Sequence, residues 1–175
     1  MDIFIIDINN AENIDDELLQ KFRHKNFTNK RKQKEHCLAY LMVDRILKEF
    51  YKTENRELEF VSSKPFLKSR EKYFSISHSG DYVALGFSDY DCGIDIEKMT
   101  ERDFSAISNR MGFVSENKED FYKKWTMFEA EYKLGKKSEM TDSFYYEDYT
   151  ITAVSGYPKE KFELYIQIGN NFSNL

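Results

Sequence analysis

The stretch Lys72–Glu97, KYFSISHSGDYVALGFSDYDCGIDIE, decides how this chain folds. Aromatic and apolar residues are interleaved with small ones on both sides of Ser79-Gly80-Asp81, a combination that turns one strand back on the next. The segment reads as a hairpin whose turn is Ser79-Gly80-Asp81, and CGIDIE follows as the next strand. In that strand Ile94 and Ile96 face one way, into apolar packing, while Asp95 and Glu97 share the opposite face. Two carboxylates about 7 Å apart on one face repel unless they are solvated or something positive lies between them. A solvated edge strand meets that need. So does a hard cation such as Mg²⁺, which uses one or two carboxylates with waters and substrate phosphates.

Outward from this stretch, DIFIIDI at the start is a β-rich opening strand, and AENIDDELLQKF reads as a short helix capped by Asn10 or Asn13. From about Lys32 to Tyr51, Leu38, Leu41, Met42, Ile46, Leu47 and Phe50 recur at helical spacing and predict a long amphipathic helix. ELEFV is a short strand, and in SSKPFL the residue Lys64 is held extended by Pro65. Beyond CGIDIE, a polar stretch from Met99 to Asn109 leads into a helix from about Glu116 to Lys136. Two strands, FYYEDYTITAVS and FELYIQI, close the chain. Strand, helix and two strands in each half point to an internal duplication. The expected fold is α/β (α+β): two similar halves, 1–90 and 91–175, each a long helix on a small antiparallel sheet.

The chain has 175 residues, 41% hydrophobic and 33% charged, the composition of a globular domain rather than a disordered one. Fifteen Phe and twelve Tyr fill a core that its aliphatic content alone would leave thin. No apolar run reaches the roughly 20 residues of a membrane span, and the N-terminus lacks the pattern of a signal peptide. The cytoplasm is the expected location. Cys37 and Cys92 lack metal-ligand spacing and read as core thiols rather than a disulfide. A net charge of −5 argues against a general nucleic-acid binder. Yet KFRHKNFTNKRKQK, Lys21–Lys34, holds seven Lys or Arg and no acid. It is either a solvated helix entrance or the footing of a phosphate-bearing partner.

Three further elements carry chemistry. In FYKKWTMFEAEYKLGK, Phe121, Trp125, Phe128 and Tyr132 form a narrow apolar stripe expected in the core, with Glu129 and Lys133 one turn apart on its flank. The pair is a helix-surface ion pair, or else a metal ligand or base beside a phosphate clamp. His78 ends the strand FSISHS between Ser77 and Ser79. It is a structural hydrogen-bonding residue or, beside a carboxylate–metal site, a donor to phosphate. Lys64 presents an ammonium at a fixed point.

In this order and spacing, FSISHSG, GIDIE and WTMFEAEYK, with KP upstream, resemble the 4′-phosphopantetheinyl transferases of the Sfp type. The resemblance runs from the first strand to TITAVS. It implies a pseudo-twofold fold with coenzyme A between the halves. It also implies a holo-acyl-carrier-protein synthase type of reaction, in which phosphopantetheine moves from coenzyme A to a serine of an acyl or peptidyl carrier protein. By motif, Asp95, Glu97 and Glu129 would hold Mg²⁺ at the pyrophosphate, and Lys133 would neutralise that pyrophosphate. Ser77 and His78 would contact the nucleotide's phosphates, Lys64 would sit near the nucleotide, and Arg31 or Lys34 would meet the 3′-phosphate. The serine proton would go to Glu129 or to a metal-ordered water. The family pattern W-x-x-K-E-A-x-x-K has Phe128 here in place of its first Lys, and SKP stands for the commoner GKP. An internally duplicated chain would complete its site as a monomer.

Two other functions fit the same residues. Phe128 motivates a non-catalytic coenzyme A or carrier-binding homologue. Asp95 and Glu97 with the basic segment motivate a Mg²⁺-dependent phosphodiesterase or nuclease, against which the negative net charge weighs. In RMGFVS, Met111 and Phe113 either dock a carrier helix or pack beneath the helix that follows.

Overall fold

The computed structural model describes residues 1–9, 20–21, 27–62, 64–168 and 171–174. The helix expected in AENIDDELLQKF lies largely outside them. In chain order the elements are β1 (Asp2–Asp7), α1 (Lys30–Glu49), β2 (Leu58–Val61), β3 (Lys64–Leu67), β4 (Tyr73–Ser79), β5 (Tyr82–Ser88) and β6 (Cys92–Lys98). Then come α2 (Ser105–Met111), α3 (Lys118–Leu134), β7 (Met140–Tyr146), β8 (Tyr149–Ser155), β9 (Glu163–Ile168) and β10 (Asn171–Asn174). The strands form a five-stranded sheet ordered β10-β9-β1-β5-β4, a three-stranded sheet ordered β6-β8-β7 and the β2–β3 hairpin. The protein is a mixed α+β structure.

Side-chain alternation stacks these elements in layers. Phe4 and Ile6 of β1 and Val83, Leu85 and Phe87 of β5 meet Leu38, Met42, Val43, Ile46 and Leu47 of α1. The alternate residues Ile3, Ile5 and Ala84 face the other way, onto Ile94, Ile96, Ile151 and Ala153 of the three-stranded sheet. On the far side of that sheet, Val154 meets Ala130 and Leu134 of α3. Each fully buried Leu, Ile or Phe in these layers contributes about 1.5–3 kcal/mol of burial. Cys37 and Cys92 are both buried, Cys92 within the second of these layers. Among the described residues no helix is long and apolar enough to cross a membrane.

Local chemistry sets the ends. Asn29 caps α1 by accepting from the Arg31 and Lys32 amides at 2.9 and 3.2 Å, so the helix starts two residues before the expected Lys32. Asn117 caps α3 through the Asp120 amide, and Gly135 ends it with φ of 82°. In the β4–β5 turn Gly80 has φ of 57°, and a Cβ there would lie 2.2 Å from the Tyr149 hydroxyl oxygen. That position requires glycine.

Several expectations need correction. FYYEDYTITAVS is a hairpin rather than one strand, because Glu147 takes a left-handed φ of 52° and turns β7 into β8. The polar stretch 99–109 contains most of α2. FELYIQI, assigned to the second half, pairs in parallel with β1 as β9, so the first sheet is mixed rather than antiparallel and the sheets do not divide at residue 90. The stripe on α3 is not its core face. Phe121 is fully buried, but Phe128 is 40% and Tyr132 77% exposed. The buried face runs instead through Tyr122, Thr126, Ala130 and Leu134.

Candidate functional site

β4 and β6 belong to different sheets, and side chains rather than a backbone ladder join them. Ser75, Ser77 and Ser79 share one face of β4 and each reaches β6. Ser75 Oγ accepts from the Ile94 amide at 3.1 Å. Ser77 Oγ donates to Asp95 Oδ1 at 2.7 Å. Ser79 Oγ donates to Glu97 Oε2 at 2.9 Å and accepts from the Lys98 amide at 3.1 Å. The intervening residue His78 faces the other way, and its Nδ1 lies 3.6 Å from Glu35 Oε2 on α1. Ser77 and His78, grouped by motif, thus serve opposite faces of the strand.

α3 closes the other side. Lys133 Nζ donates to Asp95 Oδ1 at 2.8 Å and to the Ile94 carbonyl at 3.0 Å. The other carboxylate oxygen, Asp95 Oδ2, is buried without a hydrogen-bond partner among the described residues. Burial, and then the Asp95 charge, push the Glu97 carboxyl above its ordinary range, while hydrogen bonds with Ser79 and Trp125 pull it back. Glu129 is raised by the same two causes and offset by Lys133. Three acids and one lysine of the expected site are therefore electrostatic neighbours. Beneath α3 the sheet face is polar: Thr126 Oγ1 and Thr152 Oγ1 are 2.7 Å apart, and Thr152 is the cross-strand partner of Asp95.

A cleft of about 550 Å³ opens beside this seam. His36 and Tyr40 of α1 line it, together with Lys64 and Pro65 of β3, Ser75 and His78 of β4, and Tyr132 and Lys133 of α3. Lys64 Nζ donates to the Lys133 carbonyl at 2.6 Å, and burial lowers its pKa. At the end marked by His78 stands the N-terminus of α1, whose first turn has no acid and carries Lys30, Arg31 and Lys32. Cations there oppose the helix dipole, so an anion nearby would be stabilising. Arg31 is already engaged, with Glu35 at 3.0 Å, the Gly80 carbonyl at 2.7 Å and Asp81 at 3.1 Å. Lys34, its expected alternate, is half-buried on the same helix.

No model of a known protein family matches this chain, and no curated protein matches it either. What the cleft can do follows from its residues.

Among the described residues no three His, Cys, Asp or Glu side chains form a ready-made metal cage, and Lys133 occupies the place beside Asp95 Oδ1. The donor chemistry nevertheless fits a hard divalent cation. Among the described residues Asp95 Oδ2 lacks a partner, and Glu97 and Glu129 are raised first by burial and then by the Asp95 charge, both of which a bound cation would offset. Lys64 and Lys133 on the cleft wall suit an anionic ligand. The serine seam and the Thr126–Thr152 pair escaped the sequence reading. The period-two serines at 75, 77 and 79 and the alternation Thr150-Ile151-Thr152 were their signal. Of the expected carrier contacts, Phe113 packs its ring 5.9 Å from Phe121 and is half-buried, as is Met111, while Val114 is 83% exposed.

Proposed function

We propose that this protein is a Mg²⁺-dependent 4′-phosphopantetheinyl transferase, moving the phosphopantetheine arm of coenzyme A to a serine of an acyl or peptidyl carrier protein. The observation that carries this reading is the placement of Asp95, Glu97, Glu129 and Lys133 as one electrostatic group beside a cleft that also holds Lys64 and His78. The two helix-on-sheet layers, α1 on the first sheet and α3 on the second, are read as the halves of a pseudo-twofold pair with the ligand between them.

Asp95, Glu97 and Glu129 would hold the metal, which when bound neutralises charge on the diphosphate oxygens. Lys133 leaves its contact with Asp95 Oδ1 to meet the pyrophosphate, a move of a flexible side chain. His78 faces the nucleotide's phosphates from the cleft wall, and Lys64 sits near the nucleotide. The carrier serine oxygen attacks the β-phosphorus, the bond from that phosphorus to the bridging oxygen breaks, and adenosine 3′,5′-bisphosphate leaves. Glu129 would take the serine proton through whichever carboxylate oxygen the metal leaves free. The carrier approaches over the loop after β6, with Met111 and Phe113 beside the exposed Val114.

A second reading rests on Phe128. Its side chain is exposed and its ring lies 6.5 Å from that of Trp125, where the resemblance calls for a lysine. A homologue that binds coenzyme A without turning it over would tolerate that change. Calorimetric titration with coenzyme A, run beside an apo-carrier reaction, separates the two: binding with no carrier modification favours the second.

A further inference from the structure

The Lys64 ammonium does not project freely into the cleft. It lies 2.6 Å from the Lys133 carbonyl, in the last turn of α3, which ends at Leu134 and is capped by Gly135. That turn carries backbone carbonyls left over by the helix and the negative end of its dipole, so a cation there is favourable. The contact bridges 69 positions of sequence, and Lys64 is itself fixed by its place in β3 opposite Val61. Pro65 restricts its backbone to the extended region. On the same residue 133, the ammonium donates to Asp95 Oδ1 and to the Ile94 carbonyl. One lysine thus grips the backbone of the next, and that second lysine grips the acidic strand. The partial burial that depresses the Lys64 pKa also shields this bond from water.

We propose that Lys64 is a positioning residue: its ammonium, seated on the Lys133 carbonyl, fastens the last turn of α3 to the β2–β3 hairpin and so fixes the backbone from which the Lys133 side chain reaches Asp95 and, in the transferase reading, the pyrophosphate. Its contact with ligand is secondary. The turnover arm of the test rests on the transferase reading; the exchange arm does not.

The test compares Lys64→Met and Lys64→Arg with the unsubstituted protein. Amide hydrogen exchange is followed by mass spectrometry over residues 128–138, and kcat and KM for coenzyme A are measured with an apo carrier protein and Mg²⁺. Lys64→Met is expected to speed exchange in the last turn of α3 by about tenfold while leaving the β4–β5 hairpin unchanged. It is expected to lower kcat by about ten- to a hundredfold with KM for coenzyme A within about twofold. Lys64→Arg, which keeps a donor and a charge, should restore the exchange protection and most of kcat. Unchanged exchange in Lys64→Met overturns the proposal, as does a raised KM with kcat intact. If the unsubstituted protein modifies no carrier, the transferase reading fails and exchange alone decides the positioning role.

Discussion

A Cβ placed on Gly93 would lie 2.0 Å from the Ala130 carbonyl oxygen. β6 and α3 therefore meet backbone to backbone, and this contact sets the helix height over the strand that carries Asp95 and Glu97. Gly93→Ala forces helix and strand apart, because the atom it meets belongs to the main chain and not to a flexible side chain. The substitution should lower stability by about 1–3 kcal/mol, a drop in Tm of about 3–10 °C by calorimetry. In the transferase reading turnover should fall by about a hundredfold as Lys133 and Glu129 move off Asp95. A Tm unchanged within a degree would contradict the close packing.

Lys133 and Asp95 form a pair in which the carboxylate is buried and the ammonium partly reaches solvent. Lys133→Met leaves Ser77 as the only side-chain donor to Asp95 among the described residues. Allowing for the solvent at Lys133, the loss should be about 1–3 kcal/mol at pH 7. Adding Asp95→Asn should recover part of it, since the uncompensated charge is then gone. Chemical denaturation of the two single variants and the double variant measures the coupling. Strict additivity would mean that the pair contributes nothing.

For Glu97 and Glu129 the sign of the pH effect follows from the direction of their shifts. Each folded-state pKa lies above the unfolded value of about 4.5. Their contribution to stability is therefore fully present below that value and is lost as pH rises through the folded pKa. At neutral pH both ionised groups destabilise the metal-free protein. Glu129→Gln should raise Tm by about 1–3 °C at pH 7 and by less near pH 4, and in the transferase reading it should abolish carrier modification. A lower Tm at pH 7 would show that the carboxylate is stabilising as it stands.

Much of this arrangement is legible in the sequence where apolar alternation and glycine turns govern. The β4–β5 hairpin about Gly80, the run of α1 through Leu38, Met42 and Ile46, and the facing of Asp95 and Glu97 away from Ile94 and Ile96 all follow from it. The phase of α3 does not. Hydrophobicity picks out Phe121, Trp125, Phe128 and Tyr132, but the helix lies on a sheet face made of Asp95, Glu97, Thr150 and Thr152 and so buries Thr126 and Ala130. A close contact with Gly93 selects small side chains, which leave no apolar signature. The return of β9 to pair with β1 is equally silent, since FELYIQI reads the same in either sheet.

The exposure of Phe128 gives a prediction in the direction of gain. Phe128→Lys removes no core contact and should leave Tm within about 2 °C. In the transferase reading it adds a cation one residue before Glu129 and should raise kcat/KM for coenzyme A by about three- to tenfold. Lower kcat/KM at unchanged Tm would instead assign the aromatic ring a role in binding substrate.

Intact-mass measurement of an apo carrier protein, incubated with this protein, coenzyme A and Mg²⁺, tests the transferase reading most directly. The expected result is a mass gain of one phosphopantetheine on the carrier serine, absent without Mg²⁺ and absent with Asp95→Asn. No gain across acyl and peptidyl carriers, with the protein folded and coenzyme A in excess, would contradict it.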